Sequence, residues 1–359
     1  MASVSPPPTL LDRAKGCLLG GAIGDSLGAP VEFHTLGVIK AKYGENGIQE
    51  FDRAYGMLGG ITDDTQMTLF TAEGLIRAKV RLALRGVCHP PSVIAFSYQR
   101  WLHTQGESCD RNAIDSDSLG WLVGIDALHH RRAPGNTCLS ALRVWNQDLA
   151  KNDSKGCGSV MRSAPFGFCE ATWELAWESA AITHGHIEAK ASAAIFAETI
   201  RLLVAGQPLE AALIQACSLD RDETRSARLV RRAIELASGD VDSESAIREL
   251  GEGWVADEAL GIAAYCALKG GSDFEKVVRL AVNHDGDSDS TGAIAGNLVG
   301  AQYGVGVIPT RWLVQIELRD VIEQLATDLV TELPLAPRDG ATDAQKQAEK
   351  AFLDRYPGG

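Results

Sequence analysis

Apolar residues recur along this chain with the spacing of α-helices rather than that of β-strands. One apolar stripe lies in a segment that begins near His186 and consists of Ile195, Phe196, Ile200, Leu203 and Val204. A second stripe follows Pro309 and consists of Val314, Leu318, Val321, Ile322 and Leu325. Helices are also predicted over 67–80, 257–268 and 291–301, with a short polar helix over 342–353. Alternating stretches rich in Val, Ile and Thr are nearly absent, so we predict an all-α globule whose loops carry the chemistry.

The chain divides into a short arm, one large domain and a tail. Residues 1–9 include three consecutive prolines and are predicted to form a disordered arm. No Pro- or Ser-rich linker interrupts the following segment, so 10–333 is predicted to be a single domain. Residues 334–359 are predicted to be a peripheral tail.

Composition and charge narrow the class of partner. The 359 residues carry 34 basic and 47 acidic side chains, a formal net charge of −13. This charge argues against a basic nucleic-acid binder or a polybasic membrane-surface protein, and leaves nucleic acid only as a possible modified substrate. The eight cysteines form no C-x-x-C pair and are predicted to be free thiols. With neither a signal-peptide pattern nor a membrane-span-length apolar run, we predict a cytoplasmic protein without a membrane partner.

Two acidic motifs precede predicted helices. The first, at 59–66, reads GGITDDTQ, and the second, at 284–292, reads HDGDSDSTG. Single acidic or hydroxyl residues at such positions are ordinary helix caps. Here, however, Asp63 and Asp64 are adjacent, and Asp285, Asp287 and Asp289 fall within five residues. Such crowding is unfavourable unless a cation neutralises the carboxylates or their pKa rises.

The residue types in these motifs favour a hard cation. Carboxylate and hydroxyl oxygens without His or Cys suit Mg²⁺, Mn²⁺ or Ca²⁺ rather than Zn²⁺. An EF-hand is excluded, because the twelfth position counted from Asp285 is Gly296 rather than Glu. Two separate oxygen clusters that meet around a two-metal centre fit the pattern better.

Three weaker motifs accompany the acidic ones. The segment 20–33 is rich in glycine and includes Glu32, but it neither follows a strand nor contains a Gly-Lys-Ser/Thr signature. Close helix packing explains its glycines as well as ligand binding does. The segment 156–162, GCGSVMR, has small residues that would let a backbone approach phosphate oxygens. His184 lies in 182–186, at a predicted helix start.

Taken in this order, the five motifs resemble those of the ADP-ribosylglycohydrolase family, from Gly16 to about Gly304. The resemblance implies an all-α globule with a two-Mg²⁺ cleft, Mn²⁺ being possible instead. It implies the metal ligands Thr62, Asp63, Asp64, Asp287, Asp289 and Ser290. Ser290 stands where the family usually has Thr, and Cys157 where it has Asn. Glu32 matches a mobile-loop Glu that reaches a metal in some members.

The resemblance also implies a substrate and a reaction. The cradle for ADP-ribose would be formed by Gly156, Gly158, Ser159, Met161 and His184. The reaction would be hydrolysis of the C1″ glycosidic bond by metal-activated water through an oxocarbenium-like transition state. Asp63 and Asp64 are equal candidates for the base, and Glu32 is a further catalytic candidate. Asp115 and Asp117 lie where arginine-specific members carry an acid that faces the guanidinium.

Several readings of the function stay open at this level. ADP-ribosyl-arginine on protein is the favoured substrate, and serine-linked, nucleobase-linked or small-molecule ADP-ribose are alternatives. A two-metal nucleotide phosphoesterase would share the acidic motifs but release phosphate or AMP. A non-catalytic ADP-ribose binder would have no need to keep both sets of ligands. The sequence does not determine the oligomeric state.

Overall fold

The computed structural model describes residues 6–115, 119–337 and 339–358, and its regular secondary structure is almost entirely helical over them. The only strands in these ranges are a short antiparallel hairpin of β1 (Arg53–Ala54) and β2 (Met57–Leu58). The α-helices are α1 (Leu10–Gly28), α2 (Leu36–Tyr43), α3 (Asp63–Arg85), α4 (Pro90–Thr104), α5 (Asn136–Arg143), α6 (Thr172–Ala181), α7 (Ile187–Val204), α8 (Leu209–Ser218), α9 (Arg225–Ser238), α10 (Ser243–Leu250), α11 (Ala256–Gly270), α12 (Phe274–Val282), α13 (Ser288–Tyr303), α14 (Thr310–Gln315), α15 (Arg319–Val330) and α16 (Asp343–Arg355). The all-α prediction is confirmed. Within the same ranges, no helix combines the length and apolarity needed to cross a bilayer.

Helices α1 and α13 pack backbone against backbone in antiparallel orientation. Glycines spaced four residues apart face each other, in the pairs Gly16–Gly300, Gly20–Gly296 and Gly24–Gly292. A Cβ atom on any of these six glycines would lie 2.5 Å or less from a backbone atom of its partner. Matching ridges of every fourth residue allow this approach, and only hydrogen fits at the contact. The C-terminal end of α1 therefore lies beside the N-terminal end of α13.

Helix α13 lies at the centre of the globule. Its residues from Ser288 to Ala301 are all buried, and it packs against α1, α7, α11 and α12. A helix that is buried all round has no polar face, which explains why the buried residues after its first turn are mostly small or apolar. Asn297 is an exception, and its amide donates to the carbonyl of Cys17. The acidic motif that begins α13 is thereby drawn to the interior.

The apolar stripe after Pro309 forms two helices rather than one. Helix α14 ends at Gln315, and α15 begins at Arg319 after Leu318, which has a left-handed backbone with φ of 56°. The turn brings Glu317 to Arg132, with which it forms a buried ion pair, and Glu317 also accepts a hydrogen bond from the amide of Ile61. The apolar spacing predicted one continuous helix, but the chain turns at the point where Glu317 meets Arg132. Val314, which belongs to the predicted apolar stripe, is exposed as a result.

The ends of the chain contain structure that bears on the proposed domain boundaries. Residues 1–5 of the proposed arm lie outside the described residues. The polar helix predicted over 342–353 corresponds to α16. The side chains of Phe352 and Tyr356 are buried, and the Tyr356 hydroxyl donates to Asp328 on α15. The tail predicted to be peripheral thus contributes aromatic side chains to the core.

We expect Gly24→Ala to lower the free energy of unfolding by about 1–3 kcal/mol, a typical cost of overpacking. A Cβ at this position would lie 2.0 Å from the carbonyl oxygen of Gly292. Gly37→Ala in α2 is the matched control, because the nearest atom to its Cβ would be 3.9 Å away. The control should be neutral or slightly stabilising, since alanine favours helix. Calorimetric unfolding of both variants checks this, and equal destabilisation would contradict the role given to the glycine contact.

Candidate functional site

The N-terminus of α3 places two carboxylates at the interior. Thr62 is the N-cap, and its hydroxyl accepts a hydrogen bond from the amide of Asp64 at 3.3 Å. Asp63 and Asp64 occupy the first turn, where acidic groups favour the helix dipole, and both are buried. The amide of Gly135 donates to Asp63 Oδ2 at 3.1 Å, whereas Asp64 Oδ1 has no hydrogen-bond partner.

The N-terminus of α13 contributes the second pair of carboxylates. Asp287 is the N-cap, and the amide of Ser290 donates to Asp287 Oδ1 at 3.3 Å and to Asp289 Oδ1 at 2.9 Å. All three residues are buried. Asp285 of the same motif faces elsewhere, because its Oδ1 accepts a hydrogen bond from the amide of Leu36 at the start of α2. Of the three aspartates in this motif, Asp287 and Asp289 therefore lie in the interior, and Asp285 holds the start of α2.

Glu32 completes the cluster from the turn after α1. Its side chain is only 7% exposed, and one of its carboxylate oxygens lies with those of Asp287 and Asp289 inside a set whose members are all within 4.8 Å of one another. Glu32 Oε2 is buried without a hydrogen-bond partner. Residues from two separate segments of the chain therefore meet at one point, and Asp63 and Asp64, from a third segment, lie close enough for the charge of Asp289 to raise their pKa values.

Burial and mutual repulsion disfavour the charged forms of these acids. Burial, and secondarily the charge of Asp289, raise the pKa values of Asp63 and Asp64 well above the usual range. The pKa of Glu32 is raised to about 11 for the same reasons, and that of Asp289 rises through burial and the charge of Asp287. Within the described residues, none of the five carboxylates forms an ion pair with Lys, Arg or His.

This donor set fits a hard divalent cation. One carboxylate oxygen of Glu32 and one of Asp64 are buried and accept no hydrogen bond from the protein. Their lone pairs are therefore available to coordinate a cation. Oxygen-only ligation by carboxylates and a hydroxyl suits Mg²⁺ or Mn²⁺. A cation would remove the repulsion that raises the pKa values, because it stabilises the ionised form of each acid.

Asp25, on α1, is an important residue of the site that sequence reasoning missed. The backbone amides of Thr62 and Thr65 donate to its carboxylate at 3.0 and 3.1 Å, and the Thr65 hydroxyl donates a further hydrogen bond. The side chain is fully buried, and its pKa is raised to about 7 by burial and by the charge of Asp289. Asp25 therefore fixes the first turn of α3 behind Asp63 and Asp64. The available signal was a carboxylate within a run of glycine and apolar residues, where a buried charge needs partners.

The segment 156–162 contacts the acidic cluster through its sulfur atoms. The thiol of Cys157 donates to Asp287 Oδ2 at 2.8 Å, and Met161 Sδ accepts a hydrogen bond from the Ser290 hydroxyl at 3.9 Å. The backbone amide of Cys157 also donates to the carbonyl of Trp254. Cys157, which stands in place of the family's asparagine, thus restrains a carboxylate of the cluster.

His184 packs on the glycines of the same segment. A Cβ on Gly156 would lie 3.6 Å from His184 Nε2, and one on Gly158 would lie 3.3 Å from His184 Cε1. Burial, together with the charge of Arg162, lowers the pKa of His184 to about 3, so the imidazole is neutral. Ser159 is turned inward, and its hydroxyl donates to the carbonyl of Ala189. The structure brings Gly156, Gly158 and His184 together, with the hydroxyl of Ser159 committed to α7.

Asp115 follows a short 3-10 turn, Arg111–Ala113, that lies away from the N-terminus of α3. Its side chain is exposed, and nearby Asn112 lines a cavity with Arg77 and Arg100. Arg77 is roughly 20 Å further along α3 than Asp64, at 1.5 Å per residue. Asp117 lies outside the described residues. The acid role assigned to Asp115 and Asp117 stays a prediction.

We expect Asp25→Asn to weaken binding of Mn²⁺ by about 10- to 100-fold, the usual effect of losing a group that orients metal ligands. The amide keeps the shape of the side chain but cannot accept from all three donors of Thr62 and Thr65. Asp285→Asn is the control, because Asp285 is on the acidic motif but accepts from Leu36. Isothermal titration calorimetry with Mn²⁺ checks both, and unchanged affinity in Asp25→Asn would refute the positioning role.

We expect the metal-free protein to lose stability as the pH rises from about 5 to 8. Between the unfolded pKa near 4 and the raised folded pKa, the folded state binds more protons, so the free energy of unfolding falls with pH. Asp289→Asn removes a charge that raises the pKa of Asp63 and Asp64, and should make this fall shallower. Saturating Mn²⁺ should restore the melting temperature of the unaltered protein but not of the variant. Thermal melts in EDTA and in Mn²⁺ check this, and identical pH slopes would contradict it.

Comparisons with known proteins identify the family of this chain. The family model for ADP-ribosylglycohydrolase matches residues 6–338. The ADP-ribosyl-[dinitrogen reductase] glycohydrolase of Rhodospirillum rubrum is 28% identical, over 87% of this chain and 92% of its own length. An ADP-ribosylarginine hydrolase of Pseudomonas putida is 27% identical, over 91% of this chain and 80% of its own length.

A solved structure shares the fold. It is described as an ADP-ribosylglycohydrolase-related protein complex, and it superposes with a TM-score of 0.61 at 30% identity, covering 89% of this chain and 98% of its own. The expectation drawn from the five motifs is thereby confirmed at the level of family. The chain belongs to the ADP-ribosylglycohydrolase family, enzymes that hydrolyse the glycosidic linkages of ADP-ribose.

Proposed function

We propose that this enzyme hydrolyses the bond between C1″ of ADP-ribose and the guanidinium of arginine in modified proteins, and that it depends on a divalent cation. The observation that carries the proposal is a group of buried carboxylates without a basic partner among the described residues: those of Glu32, Asp287 and Asp289 meet, and Asp63 and Asp64 lie close enough for the charge of Asp289 to raise their pKa values. Such a cluster is costly without a cation, so it indicates a function rather than a structural role.

The proposed ligands of two Mg²⁺ ions, with Mn²⁺ as the alternative, are Glu32, Thr62, Asp63, Asp64, Asp287, Asp289 and Ser290. When bound, such cations act as Lewis acids and help to activate water near neutral pH. The hydrogen bond from Gly135 to Asp63 and the bonds from Ser290 to Asp287 and Asp289 orient these carboxylates before any ligand arrives. Preorganisation of this kind lowers the barrier because little rearrangement is needed during reaction.

Asp63 and Asp64 differ in a way that bears on the choice of base. Asp63 is held by the amide of Gly135, whereas one oxygen of Asp64 has no partner. We therefore propose that Asp64 is the base that accepts the proton of the attacking water, and that Asp63 orients the reacting groups. Cleavage of a glycosidic bond develops positive charge on the ribose, and the surrounding carboxylates, Glu32 among them, stabilise that charge.

The glycine segment and His184 form the proposed cradle for the rest of ADP-ribose. Gly156 and Gly158 have no side chains and so leave room beside the imidazole of His184. Met161 contacts the hydroxyl of Ser290 and connects the cradle to the proposed metal ligands. Because its pKa is lowered to about 3, His184 meets the substrate as a neutral group that donates or accepts hydrogen bonds. Its contribution is therefore positioning and not charge neutralisation of the diphosphate.

The linkage and the setting are part of the proposal. Relatives named for ADP-ribosylarginine and for dinitrogen reductase support an arginine linkage on protein. All eight cysteines are free, which is typical of a reducing compartment and supports a cytoplasmic location.

We expect release of ADP-ribose from an ADP-ribosyl-arginine peptide in Mg²⁺ and no release in EDTA, measured by mass spectrometry beside the corresponding serine-linked peptide. Asp63→Asn and Asp289→Asn should each reduce kcat by about 100-fold or more, since each removes charge from the reacting centre. Asp240→Asn, at an exposed residue between α9 and α10, should retain activity.

Other products would overturn the proposal. Release of AMP or phosphate would indicate a phosphoesterase. Binding of ADP-ribose without turnover of either peptide would indicate a binding protein. Release from the serine-linked peptide alone would keep the reaction and refute the arginine linkage.

A further inference from the structure

Two aromatic side chains from distant parts of the sequence stack on each other at the protein surface. The rings of Phe33 and Trp254 are 5.8 Å apart at an interplanar angle of 18°. Phe33 is 72% exposed and Trp254 is 38% exposed, so the pair covers little of the core. Large aromatic groups that stack on each other in contact with solvent beside a polar site are candidates for a binding surface.

The loops that carry the pair also build the acidic cluster. Phe33 directly follows Glu32, whose carboxylate lies with those of Asp287 and Asp289. On the other side, the carbonyl of Trp254 accepts a hydrogen bond from Cys157, whose thiol contacts Asp287. The carbonyl of Glu252, in the same loop as Trp254, accepts a hydrogen bond from the amide of Asp287 at 2.8 Å. The aromatic pair is therefore attached to the cluster at both ends.

The segments that carry the pair also border an acidic cavity. The two rings do not line this cavity of about 500 Å³, but Leu36 and Glu252, close to them in sequence, do, together with Glu244, Glu258, Asp285 and a single arginine, Arg248. Glu244 and Glu258 are paired with basic groups, whereas Glu252 and Asp285 form no ion pair within the described residues. The unpaired acids on these segments, with Glu32 beside Phe33, favour a cation and oppose a polyanion.

We infer that Phe33 and Trp254 form the subsite for the group attached to C1″, and that they select a planar cation, the guanidinium of an arginine side chain. This inference rests on the proposed function and names its specificity. A guanidinium is flat, permanently charged and weakly hydrated, so it stacks on aromatic faces. The aliphatic stem of arginine packs against the same rings. A serine oxygen has neither property, and the phosphates of a polynucleotide would be repelled by Glu252 and Asp285.

The test separates recognition of the leaving group from support of Glu32. Phe33→Leu and Trp254→Leu keep apolar bulk but remove the aromatic face. For each variant, the kcat/KM for an ADP-ribosyl-arginine peptide and the Kd of ADP-ribose, which lacks the leaving group, are measured in saturating Mg²⁺. Trp173→Leu is the control, because Trp173 stacks on Trp177 in α6 and lies on neither of these loops.

We expect kcat/KM for the arginine peptide to fall roughly 3- to 30-fold in the two variants, mainly through KM, as expected for loss of a cation–π contact. The Kd of ADP-ribose should stay within about 2-fold, and Trp173→Leu should change neither quantity. A parallel loss of ADP-ribose affinity would mean that the pair only supports Glu32, and would overturn the inference. So would an unchanged kcat/KM.

Two further outcomes identify which proposal has failed. If the unaltered enzyme binds ADP-ribose but leaves the arginine peptide intact in Mg²⁺, the proposed function fails, and this inference fails with it. If the variants lose turnover of an ADP-ribosyl-thymidine substrate but not of the arginine peptide, the subsite selects a nucleobase and the guanidinium assignment is wrong.

Discussion

The contact between α1 and α13 is the constraint on which the rest of the site depends. Glycines at every fourth position let the two backbones touch along three turns, which fixes both the distance between the helices and their register. That register places Gly28 against Ser288 and Asp289, and it brings the turn that carries Glu32 over the start of α13. Larger residues at the contact would move the helices apart and separate the carboxylates of the site.

The site concentrates negative charge where a folded protein would ordinarily avoid it. Two helix N-termini and the turn after α1 bring buried carboxylates close together, and burial and mutual repulsion raise their pKa values. Part of the cost is offset locally. Asp63, Asp64 and Asp289 lie in the first turns of helices, whose amides and dipoles favour negative charge. In the proposed function a bound cation offsets the remainder, and the stability of this region is then coupled to metal binding.

A second set of contacts holds the cluster in place. Asp25 fixes the first turn of α3, and the backbone of Glu252 and the thiol of Cys157 fix Asp287. None of these groups has to touch a substrate to matter, since an error of about 1 Å in a reacting group is enough to impair catalysis. The loop that contains Glu252 and Trp254 therefore has two roles. Its backbone holds Asp287 in position, and it carries one of the two aromatic side chains that we assign to substrate recognition.

Much of this could be predicted from the sequence. The helical class follows from apolar spacing, because a helix buries one stripe and the stripe is visible in the sequence as in α7. The two acidic motifs predicted oxygen ligation, because local crowding of carboxylates is itself a sequence property. The resemblance to a family then supplied Glu32 and the glycine segment. Their roles in this chain stay predictions, although the structure brings Glu32 to Asp287 and Asp289.

Tertiary structure alone decided the rest. The break at Leu318 depends on the ion pair between Glu317 and Arg132, partners that are far apart in sequence. In the second motif, Asp285 contacts α2 whereas Asp287 lies in the interior, and the sequence of the motif does not predict this difference. Asp25 and the pairing of Phe33 with Trp254 depend on contacts between segments that local patterns do not connect. Spacing along the chain determines which face of a helix is buried, but only packing determines which buried faces meet.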